Sequence, residues 1–137
     1  MIYFRMLCSM LIAFGGWFLS KRQLDAAFSN ADIIKVDGLL NIWASYGIFL
    51  LCCYLFVYYF SGISKISFPV GEINKVIIVI AIVIAPLLAI GTLIKTKSNV
   101  AHYVECRDER TITSRFSSRT YALSSDMCSK LEHRKGT

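Results

Sequence analysis

Residues 76–94 read VIIVIAIVIAPLLAIGTLI, a run of 19 residues without a charge, in which only Thr92 has a polar side-chain group. A helix of this length is roughly 28 Å long at about 1.5 Å per residue, close to the hydrocarbon thickness of a bilayer. Lys75 precedes the run, and Lys95 and Lys97 follow it, where their ammonium groups can reach lipid headgroups. The run therefore predicts a transmembrane helix that separates an apolar front from a polar tail.

Two further apolar segments, residues 2–19 and 38–60, are also long enough to be spanning helices. A turn around Pro69 connects the second span to the third. We therefore predict an all-α membrane protein with three transmembrane helices, which occupy residues 1–97. Residues 98–137 form a polar, basic tail that contains short strands. The lipid bilayer is the first predicted partner of such a chain.

The first loop and the tail have weaker local patterns. In the loop of residues 20–37, Ser29-Asn-Ala-Asp32 is similar to a capping box, which predicts a short amphipathic helix at the membrane interface. The tail has alternating, β-forming residues in three stretches and then a capped helical turn. These four tail elements are predicted at residues 100–106, 111–116, 119–123 and 127–131.

Small residues recur every four positions in the third span. Ala81, Ala85 and Ala89 fall on one helix face, and such ladders allow transmembrane helices to approach each other closely. Pro86 lies beside the ladder and is expected to kink the helix. The face is either a hinge or partner-binding groove, or a packing surface against span one or two. We favour intramolecular packing, because such ladders serve it more often.

The sequence argues against several classes of function. Apart from Arg5, the spans contain no acid, base or histidine, which proton relays and ion pathways need at depth. No glycine-rich phosphate loop, HExxH or GxSxG motif occurs, so we predict neither an enzyme nor a bound cofactor. Nucleic-acid binding is not predicted either, because no recognised module is present.

Cys106 and Cys128 are the only two cysteines in the polar tail. In an oxidising compartment they are expected to form a disulfide, which would stabilise a small tail by about 3 kcal/mol on the chain-entropy model. The alternative is a zinc ion held by His102, Cys106, Cys128 and His133. We favour the disulfide, because the ligand spacing is not that of a familiar zinc finger.

The two signals for orientation disagree. Three spans place the first loop and the tail on the same side of the membrane. The distribution of Lys and Arg beside the spans weakly favours a cytoplasmic tail, whereas the cysteine pair favours an external one. We give the cysteines more weight, because a difference of one or two charges rarely decides orientation. The tail is therefore predicted to lie outside the cytosol.

Tyr103-Val-Glu-Cys106, Phe116-Ser-Ser-Arg-Thr-Tyr121 and Cys128, in that order after three spans, resemble a family of small enterobacterial inner-membrane proteins of unknown function. Members of that family have a Tyr-x-x-Cys, a Ser-Pro-like turn before a Tyr, and a closing Cys. Ser118 stands where the Pro is expected. The resemblance implies a bacterial inner-membrane protein with a periplasmic, disulfide-paired tail, and it implies no activity.

These features favour a protein that acts by binding another protein. The concrete hypothesis is immunity against a membrane-targeting bacteriocin or secreted toxin, by analogy with proteins of this size and layout. An alternative is an accessory subunit of a larger membrane complex. A third hypothesis is a zinc- or redox-dependent membrane sensor that uses the tail cysteines and histidines.

Overall fold

A computed structural model describes residues 1–64, 71–114 and 116–135 of the chain. The predicted turn at Pro69 and one predicted strand residue, Arg115, lie outside the described residues. In chain order the elements are α1 (Ile2–Phe28), β1 (Ile33–Asp37), α2 (Leu39–Ser64), α3 (Ile73–His102), β2 (Val104–Ile112), β3 (Ser117–Ala122) and α4 (Ser125–Lys135).

Helices α1, α2 and α3 are each long and apolar enough to cross a membrane. They contain 27, 26 and 30 residues, and the three predicted spans lie inside them except for Gly38, which precedes α2. Each helix is longer than its predicted span, and in α1 helix-forming residues follow the apolar run without a break. The sequence Ser20-Lys-Arg-Gln-Leu-Asp-Ala-Ala27, for example, extends α1 to Phe28.

The chain divides into two compact units, and both draw on distant parts of the sequence. The helical unit contains Met1–Lys21 and Trp43–Ala89, and the composite unit contains Arg22–Ile42 and Ile90–Thr137. The predicted tail of residues 98–137 belongs to the composite unit. That unit also includes the first loop, the start of α2 and the end of α3.

In the helical unit, α2 packs against both α1 and α3. A side chain at Gly16 on α1 would place its Cβ 3.0 Å from the Cα of Phe49 on α2, so any larger residue would push the two helices slightly apart. A Cβ at Gly47 on α2 would lie 3.9 Å from the Cβ of Ala85 on α3. Ala85 and Ala89 are fully buried. These contacts support the packing interpretation of the alanine ladder.

Pro86 is accommodated by a change in hydrogen bonding rather than by a break in α3. Residues Ile80–Ile84 form a π-helical turn, in which the N–H of Ala85 donates to the carbonyl of Ile80. The next donor in this pattern would be residue 86, but proline has no N–H. Within this stretch of α3, the carbonyl of Ala81 is therefore left without a backbone donor. The indole Nε1–H of Trp43 on α2 donates to it at 3.0 Å.

The composite unit is built on a three-stranded antiparallel sheet with the order β1-β3-β2. Ile33 of β1 and Val104 of β2 both pair with Ala122 of β3, and β2 is irregular between Cys106 and Thr111. Buried apolar residues beneath the sheet form its core. This core consists of Ala26, Ile34, Val36 and Val100, with Leu93, Tyr103 and Tyr121 packed against it.

The prediction of a short amphipathic helix in residues 20–37 is wrong. Residues up to Phe28 continue α1, and Ile33–Asp37 form strand β1 with alternating burial. In the tail, the first predicted strand overlaps β2 only at residues 104–106, because residues 100–102 end α3, and the second overlaps β2 only at residues 111–112. The third predicted strand corresponds to β3. The final helical turn is present and longer than predicted, because α4 reaches Lys135.

Gly38 connects the sheet to the start of α2. Its N–H donates to the carbonyl of Ser117 at 2.8 Å, and the side-chain amide of Asn41 donates to the same oxygen at 3.4 Å. A Cβ at Gly38 would overlap the hydroxyl oxygen of Ser117, so a side chain at this position would require that hydroxyl to move. This contact fixes the first turn of α2 beside the start of β3.

We expect Trp43→Phe and Pro86→Ala to be coupled in their effects on stability. Trp43→Phe leaves the Ala81 carbonyl unpaired and should lower the free energy of unfolding by about 1–2 kcal/mol. Pro86→Ala restores an N–H that can reach the same carbonyl, so Trp43→Phe should be less harmful in that background. A double-mutant cycle in mixed micelles with increasing SDS, followed by far-UV circular dichroism, measures the coupling. Strictly additive effects would contradict this account, because any loss of interfacial anchoring by Trp43 cancels in the cycle.

Candidate functional site

The predicted disulfide between Cys106 and Cys128 is present. It joins β2 to α4, with a Cα–Cα distance of 5.4 Å and a sequence separation of 22 residues. Cys106 is almost fully buried, and α4 packs on both β2 and β3. The crosslink therefore holds a polar, 11-residue helix against the sheet. A helix this short would be marginal in isolation.

The alternative zinc set shares both sulfur atoms with this disulfide. Zinc binds the thiolate form of cysteine, so His102, Cys106, Cys128 and His133 can act together only after reduction. Among residues 1–64, 71–114 and 116–135, no group of three or more His, Cys, Asp or Glu side chains is close enough to hold a metal. The three remaining cysteines, Cys8, Cys52 and Cys53, are free.

Hydrogen bonds connect the end of α1 and the following loop to the tail. The side-chain amide of Asn99 donates to the carbonyl of Ser29 at 2.8 Å, and the hydroxyl of Tyr103 donates to the carbonyl of Ala31 at 3.1 Å. The N–H of Leu123 donates to the carbonyl of Asp32 at 3.1 Å. These bonds satisfy backbone carbonyls that the turn after α1 would otherwise leave unpaired. They also position the start of β1.

A groove of about 370 Å³ lies between α4 and the start of β1, and we call it the α4 groove. Its apolar lining consists of Ile33 on β1 with Met127 and Leu131 on α4. Ile33 is 41% exposed, so this apolar surface is open to a ligand. The remaining lining residues are charged. They are Asp32, Lys130 and Arg134.

The spacing of residues on α4 makes the lining of the α4 groove both apolar and basic. Met127 and Leu131 are four residues apart, as are Lys130 and Arg134, so all four lie on one helix face. This face combines two half-buried apolar side chains with two exposed cations. Such a surface can hold an apolar group and, beside it, a negative charge.

A second cavity, the loop–tail cleft, has a volume of about 190 Å³ and a different lining. It is bounded by the end of β1, the start of α2, the last turns of α3 and strand β3. Its charged residues are Asp37, Lys97 and Arg119. Gln23 on α1 donates from its side-chain amide to Asp37 Oδ2 at 2.5 Å, which fixes this carboxylate at the edge of the sheet.

The predicted packing residues of the third span lie at contacts within the helical unit. Ala85 and Ala89 are buried, Ala81 accepts the Trp43 hydrogen bond, and Pro86 is half-buried beside them. Ala85 faces Gly47 on α2, so at least this residue of the alanine ladder packs against a helix of the same chain.

Sequence reasoning did not identify the residues of the α4 groove. The groove exists only after β1 has paired with β3, and the loop containing Ile33 was predicted to be helical. One local signal was available, because the pairs Met127/Leu131 and Lys130/Arg134 have helical spacing on the predicted final turn. That spacing alone could have shown a face that is both apolar and basic.

We expect Cys128→Ala to release α4 without unfolding the helical unit. Loss of the crosslink should lower the free energy of unfolding of the composite unit by about 3 kcal/mol. Hydrogen exchange followed by mass spectrometry should then show faster exchange in α4, with α2 protected as before. The control is Cys53→Ala, which removes a free cysteine on α2. Unchanged protection of α4 would show that the disulfide does not hold this helix.

Comparison with models of protein families, with curated proteins and with solved structures gives no match. The resemblance to small enterobacterial inner-membrane proteins therefore stays a prediction. Function is inferred below from the geometry of the composite unit.

Proposed function

We propose that the chain is an integral protein of the bacterial inner membrane, with the composite unit on the periplasmic side. The length and apolar character of α1, α2 and α3 support insertion. The Cys106–Cys128 disulfide supports an oxidising compartment for the tail. The weak charge signal for the opposite orientation comes from only a few Lys and Arg residues.

Strand pairing supports the arrangement of three spans. β1 follows α1, whereas β3 follows α3, and the two strands share an antiparallel ladder. Two segments can pair in this way only if they are on the same side of the membrane. Crossing of the membrane by both α2 and α3 gives this result, since the first loop and the tail are then separated by two crossings.

Within this membrane protein, we infer that the α4 groove binds an acidic segment of a partner protein. The observation that carries the proposal is the joint lining of the groove by apolar Ile33, Met127 and Leu131 and by two exposed cations. Lys130 and Arg134 outnumber the single carboxylate, Asp32, so the local charge favours an acidic ligand. An apolar side chain of that ligand would occupy the space between β1 and α4.

The size and rigidity of the groove also favour a peptide segment. A volume of about 370 Å³ can accept a few side chains but not a broad globular surface. The disulfide fixes α4 before binding, so less conformational entropy is lost when a ligand is held.

Immunity against a membrane-targeting bacteriocin or secreted toxin is a more specific form of this binding function. In that case the acidic segment belongs to the toxin, and charge reversal in the groove should abolish protection. An accessory subunit of a larger membrane complex would use the same groove for a resident partner. Identification of the bound segment decides between these two roles.

Thiol labelling tests the proposed orientation. In a variant with Cys8, Cys52 and Cys53 replaced by Ala, a membrane-impermeant maleimide should label intact spheroplasts only after reduction. This result is expected because Cys106 and Cys128 lie outside the cytosol, where the reagent reaches them, and are paired until they are reduced. Labelling that needs lysis but no reductant would place reduced cysteines in the cytoplasm and would contradict the periplasmic assignment.

Photocrosslinking tests the proposed function of the α4 groove. A photoreactive amino acid at position 127 should form an adduct in living cells, and mass spectrometry should map it to an acidic segment with an apolar residue. The variant Lys130→Glu/Arg134→Glu should reduce the adduct about tenfold or more, because each lost charged contact contributes about 1–3 kcal/mol.

The matched control is Arg107→Glu/Arg110→Glu, which reverses two exposed charges on β2, outside the groove. This control should leave the adduct unchanged. A mapped segment that is basic or uncharged, an equal effect of both double variants, or the absence of an adduct would each refute binding of an acidic segment in the α4 groove.

A further inference from the structure

A cleft of about 390 Å³ lies between the start of α1 and the end of α2, and we call it the Arg5 cleft. All of its lining residues belong to the helical unit. They are Ile2 and Arg5 on α1, and Tyr58, Tyr59, Ser61 and Gly62 on α2. The lining therefore combines one cation with three side chains that carry hydroxyl groups.

Arg5 has no counter-ion within the described part of the helical unit. Glu72 is the one acidic residue among residues 1–21, 43–64 and 71–89, and it pairs with Lys75 at 2.9 Å. Among the described residues, no carboxylate lines the Arg5 cleft. A guanidinium beside an apolar helix is costly without an anionic partner, and it offers five N–H donors to one. The cleft therefore favours an anion from outside the chain.

The α2 wall of the cleft adds donors for the same ligand. The rings of Tyr58 and Tyr59 are in edge-on contact, with centroids 5.8 Å apart, and Tyr58 is 39% exposed. A phenol hydroxyl can donate to an anionic oxygen, as the guanidinium can. A phosphate matches this lining, because its several oxygens can accept from Arg5 and from a hydroxyl at the same time.

The position of the cleft points to a lipid as the source of the phosphate. Arg5 is close to Ile2, where α1 begins, and Tyr58 and Tyr59 lie in the last two turns of α2, which ends at Ser64. If both helices cross the bilayer as proposed above, tyrosine rings and a long cationic side chain at helix ends lie at the level of the headgroups. Ile2, which is 50% exposed, adds an apolar contact at the same level.

We propose that the Arg5 cleft binds the headgroup of an anionic phospholipid of the phosphatidylglycerol type. The lipid phosphate pairs with the Arg5 guanidinium, and the tyrosine hydroxyls of the α2 wall donate to oxygens of the headgroup. A zwitterionic lipid fits less well, because its ammonium group would lie beside Arg5 without a carboxylate to receive it. This inference rests on the proposed insertion of α1 and α2, and it holds for either orientation of the chain.

Native mass spectrometry of the full-length protein released from detergent micelles tests the proposal with lipids of identical acyl chains. Phosphatidylglycerol should bind at least about fivefold more tightly than phosphatidylethanolamine and phosphatidylcholine, since it alone of the three has a net negative charge. Equal binding of the three lipids would overturn the proposal.

Charge variants locate the lipid at Arg5. Arg5→Gln should weaken phosphatidylglycerol about tenfold, whereas Arg5→Lys keeps the charge and should lose less. Arg5 is exposed, so neither replacement disturbs packing. The matched control is Arg22→Gln, which removes another exposed arginine of α1 that does not line the cleft. If Arg5→Gln and Arg22→Gln bind phosphatidylglycerol equally well, Arg5 does not hold the headgroup.

A steric variant tests the cleft without changing its charge. Gly62 lines the cleft and Gly15 does not, and both are exposed. A Cβ at either glycine would meet no neighbouring atom within 4 Å, so a larger side chain is accommodated at both positions. Gly62→Leu should fill part of the cleft and weaken phosphatidylglycerol several-fold, whereas Gly15→Leu should not. Equal affinities of these two variants would show that the lipid binds elsewhere.

Soluble glycerol phosphate distinguishes the two sources of the anion. It should fail to displace the lipid at millimolar concentration, because it lacks the acyl chains and their apolar contacts. Displacement at or below that concentration would identify a soluble ligand and would overturn the lipid assignment. Resistance of the protein to carbonate extraction measures membrane insertion separately, so loss of headgroup selectivity in an inserted protein refutes this inference alone.

Discussion

The composite unit depends on the backbone pairing of β1 with β3. Ile33–Asp37 pair with Ser118–Ala122 in one uninterrupted register, and the inward-facing residues of β1, Ile34 and Val36, supply half of the buried core. The two strands are separated in sequence by α2 and α3, so pairing must overcome a large loop-closure entropy. Without β1, Ala26 and Val100 lose the residues that they pack against. The polar tail is therefore one part of a domain rather than a domain in itself.

Local contacts within the tail reduce the loss of chain entropy that accompanies the pairing of β1 with β3. β2 and β3 form an antiparallel hairpin within the tail, and the disulfide closes a loop of only 22 residues from β2 to α4. Both can form before the first loop arrives, since contacts close in sequence form fastest. The hairpin then presents one free edge to β1. Only Gly38 separates β1 from α2, and its lack of a side chain leaves room for the hydroxyl of Ser117.

The sequence was informative where a single local pattern decided the structure. Runs of apolar residues identified all three long helices, and the isolated pair Cys106 and Cys128 identified the disulfide. The strand at Ile33–Asp37 was missed because five residues with apolar positions at 33, 34 and 36 fit helical spacing as well as strand alternation. Only its distant partner, β3, distinguishes the two. The α4 groove and the loop–tail cleft were hidden for the same reason, since each requires β1 in place.

The two cavities depend on different supports, although they share one sheet. The α4 groove requires a helix whose position is fixed by a covalent bond to β2. The loop–tail cleft is lined by β1, α2, α3 and β3, and no residue of α4 contributes to it. Reduction of the disulfide therefore acts on the groove first, while hydrogen bonds of the β1–β3 ladder and of Gly38 continue to hold the walls of the cleft. Oxidation state would in this way alter the α4 groove while leaving the walls of the cleft in place.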